Sequence, residues 1–185
     1  VQLADYKEEK PEPSDSDWAE LREAQTMTAD KLPHTGQAVI IDLGEASDIH
    51  PKKKLEVGRR LARLALAHDY GQKVAYQSPR YESMEKKGDK ITLKFTEVGT
   101  ALRVVDNKAV QGFAIAGEDK KFHWANAKIV PPNRIEVSSK DVKEPVAVRY
   151  AWADNPVCNV YSSSLLPLTP FRTDDWKGVT ADVLQ

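Results

Sequence analysis

The chain has 185 residues, 41% hydrophobic and 30% charged, enough apolar material for one or two domains with real cores. Its 27 Lys and Arg balance 28 Asp and Glu to a net charge of -1, so no overall positive field favours nucleic acid or an anionic membrane as a partner. No apolar run is long enough to span a bilayer as a helix, and one cysteine, Cys158, with four His offers neither an internal disulfide nor a zinc spacing; no metal and no organic cofactor are expected.

Val1-Gln2-Leu3-Ala4-Asp5 reads as a strand already under way, with no targeting segment before it. The acidic, proline-containing stretch from Pro11 to Asp17 leads into a helix from Asp17 to about Leu32, with Trp18, Leu21, Gln25, Thr28 and Leu32 near one face. Arg22 and Gln25 lie one turn apart and project together. Two readings are open: they line a cleft near the histidine loop described next, or they are a surface arginine and a helix-packing glutamine.

Ala38-Val39-Ile40-Ile41-Asp42-Leu43-Gly44 is a β-branched run ended by glycine, which reads as a buried parallel strand. The C-terminal end of such a strand is where open α/β sheets place their chemistry. There stands Ser47-Asp48-Ile49-His50-Pro51, which pairs a carboxylate with an imidazole at a loop tip. An imidazole so placed can move a proton as a general base, and a carboxylate beside it can orient the ring. The plainer alternative makes Asp48 a helix-start carboxylate and His50 a polar residue of the turn. Pro51 sits where a helix best tolerates proline, and Leu55, Gly58, Leu61, Ala62, Ala65 and Leu66 recur at helical spacing, predicting a helix from Lys52 to Tyr70 whose Lys52-Lys53-Lys54 start is solvated. Residues 1–72 thus read as a βαβα half of a doubly wound fold.

After Gly71 the pattern turns to short β-rich segments: Lys90 to Glu97, Leu102 to Val105, Gly112 to Ala116, Ala127 to Val130, Arg134 to Val137 and Val146 to Ala151. Lys87-Gly88-Asp89 and Pro131-Pro132-Asn133 carry turn chemistry. Residues 73–185 are therefore expected to form an antiparallel sandwich. Its aromatics Phe122, Trp124, Tyr150, Trp152 and Tyr161 either fill the core, as strand aromatics usually do, or offer stacking faces to sugar rings.

The histidine loop belongs to a longer pattern. Asp42-Leu43-Gly44 through Asp48-Ile49-His50-Pro51-Lys52-Lys53-Lys54, followed by Val57-Gly58-Arg59-Arg60-Leu61-Ala62, resembles the histidine block of the sialate O-acetylesterases, a branch of the SGNH hydrolases. Similar too are Trp18-Ala19-Glu20-Leu21-Arg22-Glu23-Ala24-Gln25 upstream, Gly112-Phe113-Ala114-Ile115-Ala116-Gly117-Glu118-Asp119 with Phe122, and Pro145-Val146-Ala147-Val148-Arg149-Tyr150-Ala151-Trp152 with Pro170-Phe171-Arg172-Thr173-Asp174-Asp175-Trp176. The four blocks occur in order over nearly the whole chain.

The resemblance implies an α/β fold: the C-terminal part of an SGNH-type α/β/α hydrolase domain over 1–72, then an antiparallel β-sandwich-like domain over 73–185. It implies a serine carbohydrate esterase that removes O-acetyl groups from sialic acid, with His50 as base; Asp48 is read as its carboxylate, a Ser-His dyad being the alternative, and Arg22 and Gln25 are the substrate-side candidates on the cleft-lining reading of their spacing. Arg149 then becomes a candidate partner for a sialic acid carboxylate. Two features depart from the family pattern. The aspartate normally stands three residues before the histidine, where this chain has Ser47, and no glycine-flanked serine precedes His50. The expectation is that the nucleophile belongs to a missing N-terminal portion of the same enzyme, that this chain by itself is inactive, and that the enzyme is secreted or periplasmic. Other readings are an acetyl esterase of plant polysaccharide and a non-catalytic carbohydrate-binding module.

Overall fold

A computed structural model of the chain describes residues 1–106 and 108–182. Two helices precede a run of strands: α1 (Asp17–Lys31), α2 (Lys54–His68), β1 (Arg80–Lys87), β2 (Lys90–Thr96), β3 (Arg103–Val104), β4 (Phe113–Ala116), β5 (Phe122–Trp124), β6 (Asn126–Val130), β7 (Arg134–Ser138), β8 (Ala147–Tyr150), β9 (Val160–Tyr161) and β10 (Phe171–Arg172). Ser16, in extended conformation, caps α1 by accepting from the Ala19 N–H at 3.1 Å, and Asp17 and Glu20 complement the positive helix start. The helix stops at Leu32, which is extended as the residue before a proline is biased to be.

The strands make two antiparallel four-stranded sheets, ordered β1-β2-β7-β6 and β10-β8-β4-β5, and a two-stranded pairing of β3 with β9. Strict alternation decides which side chains go inside. In β2, Ile91, Leu93 and Phe95 are fully buried while their neighbours face outward, and the register sets Ile91 opposite Val137 and Leu93 opposite Ile135 of β7. The second sheet supplies Phe113 and Ile115 of β4 opposite Tyr150 and Val148 of β8. Tyr81, Phe95, Phe113, Tyr150 and Phe171 pack ring to ring through this core, Tyr81 stacking on Phe171 with centroids 4.9 Å apart. The sandwich is as expected, and the Gly88-Asp89 turn, with Gly88 at φ 60°, closes the β1–β2 hairpin where the sequence placed a turn. Strands β1, β5, β9 and β10 escaped the sequence reading because three are two or three residues long and β1 exposes most of its side chains.

The N-terminal part differs from the expected doubly wound half. Neither Val1–Asp5 nor Ala38–Leu43 joins a strand ladder; Gln2 N–H donates to Ala38 O at 2.9 Å, and the second run ends in a turn closed by Leu43 N–H on Ile40 O at 3.1 Å. Other groups take the place of the ladder. Leu3 and Ala4 carbonyls accept from the Arg22 guanidinium, and the Leu3 N–H donates to Gln25 Oε1. Burial was nevertheless read correctly: Val39 and Ile41 enter the sandwich core, while Ile40 and Leu43 pack with Ala4 and Val57. The change at Gly71 is thus one of element type, with residues from both sides of 72 sharing one core.

The helix faces also need correction. Leu21 and Leu32 of the expected α1 face are exposed, and the helix buries Ala19 and Arg22 instead. In α2, Leu55 is 66% and Leu61 41% exposed, while the buried residue is Arg60. Periodicity located both helices, but the inward stripes carry Ala19 with Arg22 in α1 and Val57 with Arg60 in α2.

Candidate functional site

The loop carrying Asp48 and His50 is built on a close backbone approach. A Cβ on Gly44 would lie 1.9 Å from the Asp5 carbonyl oxygen, so only glycine lets the two segments meet; its N–H donates to Asp5 Oδ1 at 2.7 Å. Lys7 N–H then donates to Ala46 O at 3.0 Å, and Lys52 Nζ reaches Glu45 Oε2 at 2.7 Å. An isolated bridge between Glu45 and Asp48 tightens the turn, with Asp48 N–H on Glu45 O at 3.3 Å. Behind it, Arg60 of α2 forks onto Asp42 at 2.6 and 2.7 Å and donates to Val39 O, while Tyr161 O–H donates to Asp42 Oδ2 at 3.1 Å. This buried network ties the base of the loop to α2 and β9.

The turn brings Asp48 and His50 together. Asp48 Oδ1 accepts from the His50 backbone N–H at 2.9 Å and lies 3.2 Å from His50 Nδ1. The backbone N–H of His50, then its imidazole, hold the Asp48 carboxyl below the usual carboxylate range. An ionised Asp48 on Nδ1 favours the tautomer that carries its proton there and leaves Nε2 free to accept one. The imidazole is 84% exposed and has no serine among its hydrogen-bond partners in the described residues. Two-residue spacing in an extended loop points side chains the same way; here the Glu45–Asp48 turn, together with the Asp48-to-His50 backbone bond, closes the distance. The pair has the geometry of a base and its orienting carboxylate, and it faces outward.

Arg22 and Gln25 are elsewhere. The Arg22 guanidinium is fully buried and donates to four carbonyl oxygens: Leu3 at 2.9 Å, Ala153 at 2.6 Å, Ala4 at 2.7 Å and Asp154 at 2.8 Å. Burial draws it down to about 10, against the pull of Asp5 and Asp154, so it stays charged at neutral pH. Four of the five N–H groups of the fork are thus committed to backbone, and Gln25 holds Leu3. The two are staples of the N-terminal segment, and the cleft-lining role is not what this geometry serves.

Arg149 is likewise committed. Its Nε and Nη2 each meet an Asp174 oxygen at 3.0 Å, Nη1 reaches Asp15 at 3.2 Å, and the guanidinium lies 4.2 Å from the Phe122 ring centroid and 5.1 Å from that of Trp152. The aromatics divide between both sequence readings: Tyr150 is core, Trp152 is buried, Tyr161 anchors Asp42, and Trp124 is 42% exposed. Cys158, beside Tyr150, has its thiol pushed up to about 12 by burial, which leaves it unreactive at neutral pH. Among the described residues no helix is long and apolar enough to cross a membrane.

A cleft of about 280 Å³ lies between the end of α1, the segment 35–39 and α2, and is lined by Asp30, Gln37, His68, Tyr76, Arg80 and Thr169 among others. Two adjoining clefts, about 140 and 320 Å³, flank Gly112 and Trp124 on the sandwich. Ser14, Asp15 and Lys120 in the first of these were not singled out from the sequence, since only the fold sets residues 13–15 against β5 and β8.

No protein-family model and no curated protein sequence matches the chain. Among solved structures, the chain is similar to a carbohydrate acetylesterase of Xanthomonas citri, with a TM-score of 0.86 and 47% sequence identity. The match covers 95% of this chain and 40% of that protein, so the chain spans less than half the length of the relative.

Proposed function

We propose that the chain is the histidine-bearing part of a serine carbohydrate acetylesterase. The match of nearly the whole chain, at 47% identity, to part of a carbohydrate acetylesterase carries this reading. The Asp48–His50 pair supports it, because ester cleavage needs a base that takes the serine proton and returns it to the leaving sugar hydroxyl. The serine and the donors that stabilise the tetrahedral oxyanion come, in this reading, from a region of the relative that this chain does not span. Exposed apolar side chains flank the histidine, Ile49 at 47% and Leu55 at 66%, and suit a surface that another part of a hydrolase domain covers. Covering it would also withdraw the Asp48–His50 pair from water and strengthen their interaction.

The sialate O-acetylesterase resemblance makes O-acetylated sialic acid the first substrate to test. Arg149 gives no added support for an anionic sugar, because Asp174 and Asp15 already hold it. Acetylated plant polysaccharide stands as the second substrate.

The test uses the longer protein that contains this segment. Hydrolysis of a chromogenic acetyl ester, O-acetylated sialic acid and acetylated xylan is compared for wild type, His50→Ala and Asp48→Asn. His50→Ala is expected to abolish turnover, and Asp48→Asn to lower kcat by up to about 10⁴, the loss that removing the triad carboxylate causes in a serine protease. A near-normal Asp48→Asn enzyme beside a dead His50→Ala enzyme would leave a Ser-His dyad. This chain alone is expected to show no turnover, and robust His50-dependent hydrolysis by it would overturn the external nucleophile.

A further inference from the structure

The outer face of the second sheet carries clefts remote in sequence from the Asp48–His50 loop. Alternation along β4 and β8 sends Phe113, Ile115, Val148 and Tyr150 into the core and leaves Ala114 and Arg149 on the other side. Ala114 is small, and Gly112 before it, at φ 95°, has no room for a side chain: a Cβ there would lie 2.8 Å from Cys158 Cβ. A cleft of about 140 Å³ is lined here by Gly112, Ala114 and Arg149, and a second of about 320 Å³ shares Gly112 and Trp124 with it.

The walls are those of a receptor for a polyol with an apolar face. Trp124 is 42% exposed, yet its Nε1–H is held by Pro11 O at 2.7 Å, so the indole is an immobilised platform. Phe122 stands beside it, its ring carrying the Arg149 guanidinium. Around the rim are the Lys120 amine, the Asp15 carboxylate, whose side chain is 64% exposed although one oxygen meets Arg149, and the Ser14 hydroxyl. The Ser14 oxygen is buried and has no hydrogen-bond partner among the described residues. An unpaired buried hydroxyl in a cleft is satisfied when a ligand hydroxyl arrives. Arg149, the strongest cation present, is matched by Asp174 and Asp15.

We infer that this cleft is a binding subsite for a neutral pyranose ring, stacked on Trp124 and hydrogen-bonded by Ser14, Asp15 and Lys120. Pyranoses linked through equatorial positions present a flat C–H face to an aromatic platform and a rim of hydroxyls to such a fringe. The choice of a sugar as occupant rests on the carbohydrate-esterase reading; the shape and chemistry of the cleft do not. The strap that forms one wall also touches the histidine loop, since Lys7 N–H bonds Ala46 O and Pro13 lines the cleft. Seven residues of chain span no more than about 25 Å, which bounds the backbone distance between the two places.

The test is binding, read on this chain by calorimetry and by the Trp124 indole N–H signal in NMR, with cellohexaose and xylohexaose as neutral probes and N-acetylneuraminic acid as the anionic one. A hexaose is expected to bind with a Kd at or below about 1 mM and to move that signal. Trp124→Ala is expected to weaken binding about tenfold or more, and Trp124→Phe to keep it within about threefold. Ser14→Val, which lies on an irregular strap and leaves the core untouched, is expected to cost about fivefold and decides the matter if Trp124→Ala fails to fold. No saturable binding up to about 10 mM of either hexaose, unchanged affinity in Ser14→Val, or tighter binding of N-acetylneuraminic acid at the same signal would each overturn the inference. Hydrolysis is not read, so hexaose binding alongside an inactive longer protein would remove the proposed catalysis and leave the subsite standing.

Discussion

Arg22 shows how one residue can organise a segment without taking part in chemistry. Its guanidinium is fully buried and serves four backbone oxygens, two on the N-terminal segment and two on the stretch after β8, so it joins regions that are remote in sequence. Replacing it by methionine keeps the volume but leaves those carbonyls unpaired, at a cost of about 3 kcal/mol or more. Arg22→Lys keeps the charge but not the fork, and is expected to recover about half of that loss. Urea midpoints of the two variants check this; a midpoint within error of wild type for Arg22→Met would show the carbonyls hydrated in place. A helical spacing can show that Arg22 and Gln25 share a face, but not that the face meets backbone rather than solvent. Asp48 and His50 were legible because their contact is local: the turn that closes it lies within the same few residues.

At the scale of elements, the inner face of α2 mixes one buried cation with apolar packing. Arg60 forks onto Asp42 and Val57 packs against Ala4, Ile40 and Leu43, while Leu55 and Leu61 face out. Leu55→Gln and Leu61→Gln should therefore change the stability of this chain by no more than about 0.5 kcal/mol, as exposed sites do, while Arg60→Met should cost several times that. Thermal melts of the three variants test it, and a large loss in Leu61→Gln would mean that the helix packs by its apolar stripe after all. In the longer protein, the same two leucine changes should lower hydrolysis if that stripe is covered by the rest of a hydrolase domain. The missing ladder of Ala38–Leu43 belongs to this scale as well: a β-branched run predicts burial, and Val39 and Ile41 are buried, but a ladder needs a neighbour at hydrogen-bonding distance.

Across the whole molecule, polar ties join the helical part to the sandwich. Arg172 forks onto Glu23 of α1 at 2.9 Å, Arg149 reaches Asp15, and Asp154 receives Lys7 Nζ at 2.8 Å and the Ser16 hydroxyl. Burial by itself would raise the Asp154 carboxyl; the bonds from Lys7 and Ser16 outweigh it and hold it below its ordinary 3.8. The unfolded chain therefore binds this proton more readily than the native one, so the carboxylate's stabilisation is complete well above pH 3.8 and is lost as pH falls through the lower native value. Stability measured from pH 7 to pH 2 should drop less steeply in Asp154→Asn than in wild type, and parallel curves would remove Asp154 from the acid response. By itself, the sequence determined what depends on near neighbours along the chain: two helices, alternating strands, the Gly88-Asp89 turn and the local pairing of Asp48 with His50. The tertiary structure decided which helix stripe turns inward, where the buried cations find their partners, and that Trp124, Phe122 and Ser14 line one cleft. The physical reason is range: turn and strand geometry is set over two to four residues, whereas a buried charge or an aromatic platform is defined by groups that only folding brings within a few ångströms.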